Sequence, residues 1–94
     1  MTLHKTTIET ALSETQWLTA GQVAQYLRQC GPLAFHDEAE YKDFRYATKA
    51  RQYSAVYNAL LRLRGICVDS CFGADDGKET RVFMLVHPIQ QGRL

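Results

Sequence analysis

Between residues 50 and 66, apolar side chains return at three- and four-residue steps. Tyr53, Val56, Tyr57, Leu60 and Leu63 share one helical face, while Arg51, Gln52, Ser54, Asn58 and Arg62 occupy the remainder. The spacing predicts an amphipathic helix over residues 50–64 that stops at Gly65 and enters a strand. Upstream, Ile8, Ala11 and Leu12 mark one side of a first helix over residues 6–14, and Trp17-Leu18 reads as a short extended link. Thr19 with Gln22 three residues later has the spacing of a capping box. It opens a second helix, residues 20–29, with Val23, Ala24 and Leu27 inward. Cys30-Gly31-Pro32 ends that helix, because glycine suits a left-handed cap and proline cannot continue the helical ladder.

After Gly65 the period changes from helical to alternating. Ile66, Val68 and Phe72 fall on one face of a half-buried strand, and residues 79–86 form a second. The polar, glycine-containing stretch 73–78 joins them, which predicts a β-hairpin with a loop of about five to seven residues. Pro88 ends the pattern, and residues 89–94 read as a tail. Residues 33–48 follow neither period. Phe35, Tyr41, Phe44 and Tyr46 make this insert aromatic and therefore packed down. It holds a short helix around residues 38–44, or an early extension of the helix that follows. Its length exceeds that of a plain turn.

Ninety-four residues with a 46% hydrophobic share make one globular domain, residues 1–94 with a core over about 6–87. No apolar run approaches the ~18 residues of a membrane span. Residues 1–8 lack an apolar signal-peptide core, so the expected location is the cytoplasm. Cys30, Cys67 and Cys71 are odd in number, which argues against a disulfide framework and favours structural thiols. His4, His36 and His87 are scattered, so no zinc set forms and no metal or cofactor is expected. The net charge is only +1, but it is unevenly placed. Residues 42–64 carry Lys42, Arg45, Lys49, Arg51, Arg62 and Arg64 against Asp43 alone, and both flanking segments are net acidic. Such a local patch supplies the attraction to an anionic partner that the total charge does not.

Two stretches carry a family resemblance. Trp17-Leu-Thr-Ala-Gly-Gln-Val-Ala-Gln-Tyr-Leu27 resembles the second-helix signature of winged helix-turn-helix regulators. Ser54-Ala-Val-Tyr-Asn-Ala-Leu-Leu-Arg-Leu-Arg-Gly-Ile66 is similar to their recognition-helix signature, which leads into the wing. The resemblance covers roughly residues 6–87 and is nearest to compact enterobacterial and phage regulators. It implies an α+β winged helix-turn-helix fold: three helices, then a β-hairpin wing, with a long insert between helices 2 and 3.

The resemblance further implies a sequence-specific transcriptional regulator that binds double-stranded DNA with the 50–64 helix in the major groove. Arg51, Gln52, Ser54, Ala55 and Asn58 are then the groove-facing positions, since amides read adenine and arginine reads guanine in bidentate fashion. Lys49 and Arg45 contact phosphates near the helix start. Arg62 and Arg64 lie further along and touch backbone or solvent, and Lys78 with Arg81 are the cations of the wing. With few cations per chain, binding calls for a homodimer or a protein partner. Asp75 and Asp76 at the loop, with the aromatic insert, favour a second reading, a winged-helix interaction module that binds a host regulator instead of DNA. No phosphate loop, Ser-His-Asp order or ligand cluster supports an enzyme.

Overall fold

The computed structural model describes residues 1–63, 65, 67–73 and 79–86, with 67–73 and 79–80 as backbone alone. The chain runs α1 (Lys5–Ala11), β1 (Leu18–Thr19), α2 (Ala20–Gln29), a 3-10 turn (Pro32–Ala34), α3 (Glu38–Arg45), α4 (Lys49–Arg62), β2 (Cys67–Gly73) and β3 (Glu79–Leu85). The strands form one antiparallel sheet in the order β1-β3-β2, so the fold class is α+β. Cys67 pairs with Leu85 and Gly73 with Glu79, which makes β2 and β3 a hairpin. The joining residues 74–78, which include Asp75, Asp76 and Lys78, lie outside the described residues, as do Arg64, Ile66 and the tail.

Helix α1 is shorter than the residue 6–14 expectation. The Ser13 hydroxyl accepts the Thr15 and Gln16 N–H groups at 3.0 and 3.1 Å, a local turn that competes with helix. Ser13 O already accepts from Leu85 N at 2.8 Å, so the chain has turned toward the sheet. The link at Trp17-Leu18 is partly a strand: Leu18 faces Phe83 and Thr19 faces Val82 in the ladder. Thr19 then caps α2 with the anticipated box. Gln22 N donates to Thr19 Oγ1 at 3.1 Å, and Thr19 N donates to Gln22 Oε1 at 2.8 Å. Gly31 does not take a left-handed cap; with φ −83° it continues extended into Pro32.

The insert folds as its own layer rather than as an extension of the next helix. Asp37 caps α3 by accepting from Glu40 N at 2.8 Å, and residues 46–48 separate α3 from α4. Thr48 opens α4, accepting from Arg51 N at 3.2 Å. Leu3, Ile8, Val23, Leu27, Phe44, Val56, Leu60 and Phe83 meet in one core. Burying each of these large side chains contributes about 1.5–3 kcal/mol. The buried stripe of α4 is Gln52, Ala55, Val56, Ala59 and Leu60. Tyr53, expected inward, is instead 48% exposed, because the small Ala55 and Ala59 take the inner positions.

A buried carboxylate ties the insert to the amino-terminal segment. Glu40 Oε1 accepts from Thr7 Oγ1 at 2.5 Å and from His36 N at 2.7 Å. Glu40 Oε2 accepts from His4 N at 2.7 Å, with His4 Nδ1 3.1 Å away. The His4 and His36 rings stack over this knot with centroids 3.9 Å apart. Burial pushes the Glu40 carboxyl up, but the Thr7, His36 and His4 hydrogen bonds outweigh it and hold the group below its usual range. On the other side of the segment, Arg62 Nη2 donates to Leu3 O at 2.7 Å. These two anchors hold residues 1–4 beside α3 and α4.

Candidate nucleic-acid interface

Helix α4 has an inner face set by the core and an outer face left open. Arg51, Ser54 and Asn58 stand three and four residues apart and so share one side of the helix. All three are exposed, and all three line one open cleft of about 740 Å³. The facing wall is built by the insert: Lys42, Asp43, Tyr46 and Ala47, with Met1 from the anchored amino-terminal segment. The insert thus borders the outer face of α4 and does not cover it. Tyr46 is 80% exposed at this wall, and the opposite flank of α4 carries Tyr53. Tyr53 stacks on Tyr57 at 6.1 Å and 7°, and Tyr57 meets Phe83 of β3 edge-on at 6.2 Å. That chain of rings braces the helix against the sheet.

The electrostatics of this face are cationic but modest. Lys49 is exposed in the first turn of α4, where no acidic residue stands and the positive end of the helix dipole lies. Lys49 and Arg51 pair with no carboxylate among the described residues. Lys42 lies 3.6 Å from Glu38 in a surface pair, which solvent screens strongly. Among the described residues Asp43 is the acid that lines the cleft.

The expected site residues therefore divide. Lys49, Arg51, Ser54 and Asn58 share the accessible side of α4. Gln52 does not belong there: its side chain is buried, its Nε2 donates to Phe44 O at 2.8 Å, and its Oε1 accepts from Arg28 Nη1 at 3.1 Å. A buried amide with both ends bonded is a strut between α2, α3 and α4, not a reader of bases. Ala55 is likewise buried. Arg62 is exposed, commits one N–H to the Leu3 carbonyl and does not line the cleft with Arg51, Ser54 and Asn58. Arg45 is exposed but opens onto a different cleft, between α2, α3 and α4. Lys78 lies outside the described residues, and Arg81 of β3 is half-buried.

Lys42 and Tyr46 line the same cleft from the insert, although neither the patch at Lys42 nor the aromatic character of Tyr46 placed them opposite α4 in the sequence. The signal was present: Tyr41 and Phe44, three residues apart, turn inward and send Lys42, Asp43 and Arg45 outward. Among the described residues, no group of three His, Cys, Asp or Glu side chains is arranged to hold a metal ion. No helix among them is long and apolar enough to cross a membrane. Set against protein-family models, curated proteins and solved structures, the chain matches none.

Proposed function

We propose that the protein is a winged helix-turn-helix DNA-binding regulator whose α4 enters the major groove. The observation that carries this reading is the open outer face of α4. Arg51, Ser54 and Asn58 line it together, Lys49 sits at its start, and the insert stands beside it instead of over it. The order of elements and the strand order β1-β3-β2 support the same family arrangement.

In this account Lys49 and the first turn of α4 engage phosphate, and Lys42 extends the contact from the cleft wall. Arg51 and Asn58 supply bidentate groups for base edges, and Ser54 supplies a hydroxyl. Tyr53 packs its ring along the groove wall. Few cations per chain make single-copy binding weak, so two copies bind together on adjacent half-sites.

Fluorescence anisotropy with labelled random and genomic duplexes tests the reading at low and rising salt. The wild type is expected to bind with a clear salt dependence. Lys49→Ala weakens binding about uniformly across sequences and reduces the log–log salt slope by about 1 per bound copy, whereas Arg51→Ala costs about 1–3 kcal/mol on the preferred sequence and relaxes specificity. Binding by both variants equal to wild type, with unchanged slopes, removes α4 as the interface. Failure of the wild type to bind any duplex at low salt removes the DNA reading altogether.

A further inference from the structure

A second cleft, of about 350 Å³, lies between α2, α3 and α4. We propose that it binds a small organic anion with an apolar body, a carboxylate carried on an aromatic frame. The volume falls within the roughly 300–1,000 Å³ of small-molecule sites and has room for a fused-ring acid. Its floor is formed by the buried Leu27, Phe35 and Phe44, and its walls by the half-buried Tyr41 and the exposed Tyr46 of the insert beside polar groups. The Phe35 ring meets Tyr41 at 5.5 Å and Phe44 at 5.6 Å, which holds the Tyr41 ring in place, and Tyr41 with Tyr46 offers aromatic surface to a planar guest.

The charge of the cleft selects the guest's head group. Arg28 and Arg45 both line it, and among the described residues no Asp or Glu does. Neither guanidinium has a carboxylate partner among the described residues. Arg28 commits one N–H to Gln52 Oε1, and its remaining donors are available to a ligand. Two planar cations beside an aromatic hollow fit a planar anion, which accepts paired hydrogen bonds from a guanidinium. A neutral hydrocarbon leaves both cations unused, and a bare inorganic anion leaves the ring walls unused. The site stands on this geometry and does not depend on the DNA reading: the two clefts share Tyr46 in their walls, but none of Arg51, Ser54 and Asn58 lines this one. The strut residue Gln52 lines the cleft too, so a guest that engages Arg28 perturbs the Gln52 amide.

The test uses the full chain, labelled with nitrogen-15 and titrated with 1-naphthoate, 1-naphthalenemethanol and sodium acetate in separate series. Naphthoate is expected to give saturable shifts at Arg28, Cys30, Tyr41, Arg45 and the Gln52 side-chain amide. The neutral alcohol and acetate bind at least about tenfold more weakly, the scale of one charge-assisted contact. Arg45→Ala, at an exposed position, weakens naphthoate by about tenfold without altering the spectrum of the core. Arg28→Lys weakens it further, because an ammonium cannot pair both oxygens; should that variant melt early, Arg45→Ala alone decides. Equal affinity for the alcohol overturns the proposal, as do shifts confined to the Arg51–Asn58 face, an unaffected Arg45→Ala, or no saturation at the solubility limit of naphthoate.

Discussion

Replacing Glu40 with alanine removes one acceptor group from four donors at once. Its side chain is 3% exposed, and Thr7 beside it is fully buried. A hydrogen bond to a charged acceptor nets about 1.5–3 kcal/mol. His4 and His36 are exposed, so water takes over part of what their backbone N–H groups lose. The Thr7 hydroxyl has no such relief and is left as a buried orphan. The combined cost is about 3 kcal/mol, a large share of the 5–15 kcal/mol typical of a domain. It corresponds to a fall in Tm of about 12–24 °C for a chain of this size. Urea unfolding followed by circular dichroism measures it directly. The pH dependence supplies a second reading of the same knot. The folded carboxyl lies below the usual glutamate value of 4.5, so on acidification the unfolded chain takes up that proton first. The stabilisation is therefore complete above that value and is lost as pH falls through the lower folded value. Glu40→Gln, which cannot titrate, flattens this acid limb. A Glu40→Ala variant within about 0.5 kcal/mol of wild type, or an acid limb unchanged in Glu40→Gln, refutes the reasoning.

Gln52→Ala breaks the bonds to Phe44 O and Arg28 and is expected to cost about 1–3 kcal/mol in thermal or urea unfolding; a neutral result would return Gln52 to the surface. Thr48→Ala removes the cap of α4 and costs about 1 kcal/mol, read as a loss of amide protection in the first turn of that helix. Leu60→Ala, at a fully buried position, costs about 2–5 kcal/mol in the same unfolding assay.

What the sequence revealed follows the range of the forces involved. Helix α2 was legible from end to end, because Thr19 and Gln22 cap it locally and Pro32 lies just past its end. Helix α4 was legible to within a residue or two from its period and from Gly65. Its rotation was less so. Tyr53 reads as apolar and Gln52 as polar, yet Gln52 is inside, because Phe44 O and Arg28 satisfy its amide and Tyr53 finds a stacking partner at the surface. A buried amide is decided by partners 8 and 24 residues away, which no local period encodes. Glu40 shows the same limit more strongly. In an acidic insert it reads as surface charge, and only its meeting with Thr7, 33 residues away, makes it a core residue. Arg51, Ser54 and Asn58 were legible because an outer face is simply what the core does not take. The wall opposite them was not, since it depends on how Glu40 and Arg62 pin the amino-terminal segment and on where the insert docks.

The central claim is that the outer face of α4 is the surface that meets DNA. Nitrogen-15 chemical-shift mapping with a duplex that binds tests it most directly. The account predicts that the largest shifts fall on Lys49, Arg51, Ser54 and Asn58, with smaller ones on Lys42 and Tyr46 across the cleft. Shifts that spare α4 and gather elsewhere on the chain, or no shifts at low salt, contradict it.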